Sequence, residues 1–225
     1  MIKILQVRNI DSFVESRRQK TLEKDRKTVQ SILNDVRKNG DSAVKKYERK
    51  FNGRKTSQLR VSAKEIKEAQ SKISDEEGNA ITLVEARLRF EEEEFRKHLS
   101  ARIPTNDIHN SRKFVAIPSV GCYIPGGQAR YPSSAVMSVV PAKIAGVKRI
   151  VVVSPPGRDG KIDPLTIAAA VYCGATEIYK VGGAQAIGTL AMEQNPYLKL
   201  IKLLGQEENL SVLQNHLSVI RPQLI

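Results

Sequence analysis

Arg149-Ile150-Val151-Val152-Val153-Ser154 decides the fold. Ile150 to Val153 are consecutive β-branched residues, the pattern of a strand buried on both faces, since a strand with one wet face alternates apolar and polar. Upstream, Ser119 to Ile124 is a second apolar strand that ends at Pro125-Gly126-Gly127. Ser133 to Gly146 between them reads as a helix, in which Pro141 predicts a kink or a restart. Downstream, Asp163-Pro164 is an N-cap followed by Pro at the first helical position, and Gly174 closes that helix. Glu177 to Val181 is the next strand, Gly182-Gly183 its exit turn and Ala184 to Glu193 a further helix. Leu198 to Leu204 reads as a fourth strand. Strands and helices that alternate through short loops predict an open parallel sheet with right-handed crossovers and helices on both faces.

The preceding residues have another texture. From Leu22 to Lys50 the apolar positions Val29, Ile32, Leu33, Val36, Ala43, Val44 and Tyr47 recur at helical spacing, broken by Asn39-Gly40-Asp41. This predicts two helices joined by a tight turn. Ser62 precedes Glu65 at capping-box spacing, with Ile66, Ala69 and Ile73 as its stripe. A further helix follows through Ala80, Leu83, Val84, Ala86 and Leu88. The fold class is therefore α/β, a charged helical N-terminal arm over 1–113 followed by a sheet domain over 114–225.

Composition narrows the classes. The 225 residues are 40% hydrophobic and 27% charged, which excludes both a disordered tail and a membrane protein. No apolar run approaches the roughly 20 residues that cross a bilayer, and Met1-Ile2-Lys3-Ile4-Leu5 leads into charge instead of a signal core. Cys122 and Cys173 are too few for a disulfide scaffold or a four-thiolate zinc site, which suits a reducing cytoplasm. The net charge of +13 lies mostly in residues 1–113, which hold 27 Lys and Arg against 18 Asp and Glu. Interleaved charge of this kind covers solvated helix faces. No stripe of stacking aromatics accompanies it, so nucleic acid is not expected as a partner.

In an open parallel sheet, ligands bind beyond the carboxyl ends of the strands. The turns Pro125-Gly126-Gly127-Gln128, Ser154-Pro155-Pro156-Gly157 and Gly182-Gly183-Ala184-Gln185 all fall there. Glycines admit a ligand close to the backbone, and the free N–H groups of a helix start favour phosphate. No GxGxxG is present, and Gly-Gly after a strand fits a structural turn as well as a cradle.

Val120-Gly121-Cys122-Tyr123-Ile124-Pro125-Gly126-Gly127, with Tyr131-Pro132-Ser133-Ser134 and Pro141-Ala142-Lys143-Ile144-Ala145-Gly146-Val147, closely resembles histidinol dehydrogenase. So do Tyr179-Lys180-Val181-Gly182-Gly183-Ala184-Gln185-Ala186-Ile187 and, earlier, the stretch from Val36 to Tyr47. The resemblance covers most of residues 20–195. It implies a Rossmann-like NAD-binding domain in a zinc-containing homodimer that oxidises L-histidinol through the aldehyde to L-histidine. By motif, Tyr123 is similar to that family's tyrosine beside NAD and Gln185 to its NAD-contacting glutamine. The plain alternative is that Tyr123 packs and Gln185 caps a helix.

The family's acid–base pair of glutamate and histidine, and its zinc ligands, belong to segments further downstream. His98, His109 and His216 stand in none of those motifs, so no catalytic or metal residue is assigned. Cys122 and Cys173 read as small buried apolar residues. Where the family continues with a block like Lys-Val-Asp-Lys-Ile-Val-Gly-Pro-Gly-Asn, this chain has Lys199 to Glu208. Synonymous codons exist for which a one-base regrouping turns those residues into Lys-Val-Asp-Lys-Ile-Val-Gly-Pro-Gly-Gly. Arg221 to Ile225 regroups likewise to Lys-Thr-Ser-Ile-Asp, which resembles the family's next block. The expectation is a frameshift near Pro196–Lys199, with an incomplete sheet and an inactive chain. The alternatives are a diverged C-terminus and a non-catalytic nucleotide- or partner-binding fragment.

Overall fold

The computed structural model describes residues 10–52, 58–99, 102–103, 110–111, 114–127 and 129–192. In chain order the elements are α1 (Ile10–Asn39), α2 (Asp41–Asn52), α3 (Ala63–Gln70), α4 (Asp75–Leu99), β1 (Arg102–Ile103), β2 (Asn110–Ser111), β3 (Ser119–Tyr123), α5 (Pro132–Ile144), β4 (Arg149–Ser154), α6 (Pro164–Cys173), β5 (Glu177–Lys180) and α7 (Gly183–Ala191). Strands β3, β4 and β5 form a parallel sheet in that order, with Tyr123 opposite Val153 and Ser154 opposite Lys180. The expected fourth strand, Leu198 to Leu204, lies outside the described residues.

The β4 run divides its side chains by the two-residue period of a strand. Ile150 and Val152 join a cluster with Val136 and Val139 of α5 and Ile167 and Ala170 of α6. Val151 and Val153 join another with Val36 of α1, Val44 of α2 and Ala186 of α7. Crossovers of one hand between neighbouring strands taken in chain order put α5 and α6 on the same face. Helices α1, α2 and α7 cover the opposite face, while α3 and α4 pack on α6 and α5. The charged stretch is thus no free arm: Ile32, Val36, Ala43 and Val44 are all buried.

Local signals explain the boundaries. Gly40 has φ 53 and lets α1 pass directly into α2. Both arms of the Ser62 capping box are formed, Glu65 N–H donating to Ser62 Oγ at 3.2 Å and Ser62 N–H to Glu65 Oε2 at 2.9 Å. Asp163 Oδ2 accepts from Thr166 N–H at 2.9 Å, and Gly174 ends α6 with φ 106.

Two expectations change, and one strand pairing is new. Helix α5 runs unbroken through Pro141, with Ala145 N–H donating to the Pro141 carbonyl at 2.8 Å. On α4 the inward residues are Ile81 and Leu88, while Leu83 and Val84 of the expected stripe are exposed, because α4 packs from one side only. Residues 59–61 add an antiparallel edge to β5: Val61 N–H donates to the Ile178 carbonyl at 2.8 Å and Lys180 N–H to that of Leu59 at 2.7 Å. Among the described residues no helix is long and apolar enough to cross a membrane.

Candidate functional site

The three glycine-bearing turns meet at the carboxyl edge of the sheet, as the parallel topology requires. They are packed against one another. A Cβ on Gly126 would stand 2.8 Å from Ser154 Oγ and 3.1 Å from the Pro155 carbonyl oxygen, so the β3 exit lies directly on the β4 exit. Gly127, at φ 90, then turns the chain away from the strand. Beside them opens a cleft of about 830 Å³, lined by Phe51, Pro125, Gly126, Gly127, Tyr131, Pro156 and Arg158 among others.

Tyr123 and Gln185 converge on the β5 exit turn. The Tyr123 hydroxyl accepts from Gly183 N–H at 3.3 Å. Gln185, on the first turn of α7, is 1% exposed and donates through Nε2 to Glu48 Oε1 at 2.8 Å. The same carboxylate oxygen accepts from Gly182 N–H at 3.0 Å. Gln185 Oε1 and Ser154 Oγ are buried without a hydrogen-bond partner. Orphaned polar atoms are rare in protein interiors, and these two lie at the end of β4 and on the first turn of α7.

Of the two readings the sequence leaves open for the Gly182-Gly183 turn, the structural one describes its donors. Its first two N–H groups are already taken, by Glu48 and by Tyr123. Glu48 was not singled out from the sequence. Its signal was its place four residues after buried Val44, a carboxylate where the apolar stripe of α2 continues. Phe51, one helical turn further, reaches the cleft with its ring stacked at 6.0 Å on Tyr47.

The cysteines are buried, and burial pushes the Cys122 thiol up to about 11 and that of Cys173 up to about 12, so neither is a thiolate at neutral pH. His98 is exposed, with Nδ1 2.8 Å from the Glu94 carbonyl oxygen on its own helix. His109, His216 and the block from Pro196 to Ile225 lie outside the described residues.

A family model described as histidinol dehydrogenase matches residues 15–207. The chain belongs to the histidinol dehydrogenase family. It is 40% identical over 190 residues to a histidinol dehydrogenase of Bacillus licheniformis, covering 81% of this chain and 43% of that protein. Against a histidinol dehydrogenase of Methanococcus maripaludis the identity is 42% over 166 residues, covering 73% of this chain and 39% of that one. The crystal structure of histidinol dehydrogenase from Elizabethkingia anophelis superposes with a TM-score of 0.73 at 26% identity, covering 95% of this chain and 47% of that one. The chain thus spans less than half the length of the histidinol dehydrogenases it matches, and the α/β fold is theirs.

Proposed function

We propose that this chain carries the dinucleotide-binding part of an NAD-dependent oxidation of L-histidinol through its aldehyde to L-histidine. Residues 114–225 form the NAD-binding part and 1–113 its helical cover. The observation that carries the reading is the meeting of Tyr123 and Gln185 at one glycine turn on the carboxyl edge of a parallel sheet. The cleft beside them supports the reading: glycines and prolines floor it and the rings of Phe51 and Tyr131 border it, with Tyr123 and Gln185 outside its lining. The bound dinucleotide would supply a hydride acceptor. Tyr123 would lie against its flat surface, Gln185 would hydrogen-bond its edge, and Gly126 and Gly127 would let it approach the backbone.

Zinc, implied by the resemblance, finds no matching donor set. Among the described residues no group of three or more His, Cys, Asp or Glu side chains could hold a metal ion. The homodimer and the cytoplasmic location belong to the same proposal, which two buried free thiols support.

A second reading, a nucleotide-binding fragment without turnover, is favoured by the 43% coverage of the Bacillus licheniformis protein. Removing hydride from an alcohol carbon also needs a positioned base, typically worth about 10²–10⁴-fold, and no described residue has been assigned that task. Incubating the purified chain with NAD and L-histidinol separates the two. Histidinol-dependent NADH formation supports the enzyme, whereas saturable NAD binding without NADH supports the fragment. Absence of NAD binding overturns both.

A further inference from the structure

We propose that Glu48 is a positioning residue that fixes the polarity of Gln185, so that the Gly182-Gly183 turn receives a hydrogen-bond donor of the ligand and not its phosphates. The donor class is a ribose hydroxyl or a carboxamide NH2. The inference deepens the NAD reading and rests on it.

One oxygen, Glu48 Oε1, lies 2.8 Å from Gln185 Nε2 and 3.0 Å from the Gly182 nitrogen. That oxygen already accepts from Gly182 N–H, so the Gln185 group facing it is the NH2, which donates to it. The carboxamide oxygen is thereby turned the other way, toward Gly183. A Cβ on Gly183 would come within 3.0 Å of it, and φ 60 at Gly183 independently favours glycine. That oxygen is buried and has no hydrogen-bond partner within the protein. It is an acceptor held ready for a donor.

The same geometry disfavours phosphate. Gly182 is the N-cap of α7 and has no capping side chain of its own. Glu48 reaches in from α2 and sets a side-chain oxygen on the first N–H of the α7 N-terminus, the place a phosphate would otherwise take. With Gly183 N–H given to the Tyr123 hydroxyl, the turn offers a phosphate neither of its first two donors.

Two measurements on the full 225-residue chain test this. Amide nuclear magnetic resonance reads the polarity without NAD. Inorganic phosphate titrated into the wild type should leave the Gly182 and Gly183 amide signals in place. The Gln185 side-chain NH2 should exchange with solvent at least about tenfold more slowly than exposed glutamines, an effect that Glu48→Gln reduces. Phosphate that moves those amides in the wild type, or a Gln185 NH2 that exchanges like an exposed one, overturns the proposal. NAD titration reads the consequence. Glu48→Gln keeps the side chain's shape and should leave the denaturation midpoint near wild type, while weakening NAD about tenfold. Unchanged NAD affinity in Glu48→Gln, alongside a loss in Gln185→Ala, reduces Glu48 to packing and also overturns it. A wild type that binds no NAD removes the dinucleotide reading, and the amide spectra then decide the role of Glu48.

Discussion

Gly182 stands directly against Pro155: a Cβ on Gly182 would come within 2.4 Å of the Pro155 Cβ and 3.0 Å of its Cα. Neither atom can swing aside, because the Pro155 ring is tied to its backbone. The exits of β4 and β5 therefore touch only because residue 182 has no side chain. Gly182 has φ −125, so the requirement is one of space and not of backbone conformation. Gly182→Ala should cost about 1–3 kcal/mol, the usual range for forcing a group into a packed site. Urea denaturation checks this, and an unchanged midpoint would show that the two turns are not in contact.

The thiols give a test of the core. Cys122 faces the cluster between the sheet and α5, and Cys173 closes α6 beneath it. Burial raises both pKa values, to about 11 and about 12, so each stays protonated well above the pH at which an exposed cysteine reacts. A disulfide reagent at pH 8 should label neither thiol in the native chain and both in denaturant. Rapid labelling of the native chain would contradict the packing of α5 and α6.

Asp35 and Lys46 join α1 to α2, with Lys46 Nζ 2.7 Å from Asp35 Oδ2. The hydrogen bond from Lys46, followed by that from Asn39, lowers the Asp35 carboxyl from 3.8 to about 2. A carboxyl with a depressed folded pKa binds fewer protons folded than unfolded, so it stabilises the fold above about pH 4. That contribution is lost as pH falls from about 4 to about 2. Asp35→Asn should therefore lower stability at pH 7, with the difference from wild type closing by about pH 2. Thermal melts across that range check the sign, and a gap that widens on acidification would refute it.

Much of the fold was legible because its signals are local. The β-branched run at Ile150–Val153, the Asp163 cap, Gly174 and the Ser62–Glu65 box each act within a few residues. What stayed hidden depends on partners far along the chain. Nothing near Leu59 announces that it will pair with β5, and nothing in the charge pattern of α1 shows that it covers the second sheet face. The stripe of α4 misled because the neighbouring apolar positions Leu83, Val84 and Leu88 cannot all face one partner helix. The site divided the same way. The positions of Tyr123 at the end of β3 and of Gln185 just past the β5 exit turn, on the first turn of α7, followed from the alternation of strands and glycine turns, together with the family resemblance. Glu48, 137 residues from its Gln185 partner, is visible only once α2 lies across the β5 turn.

Calorimetric titration of NAD into the purified 225-residue chain, repeated with Gln185→Ala, tests the central claim most directly. Saturable binding is expected, weakened in Gln185→Ala by about 1–3 kcal/mol, the cost of removing a hydrogen-bond partner, when measured at a temperature where both chains are folded, since losing the buried contact to Glu48 also lowers the melting temperature. A wild type that takes up no NAD, or a Gln185→Ala chain that binds it equally well, would contradict the account.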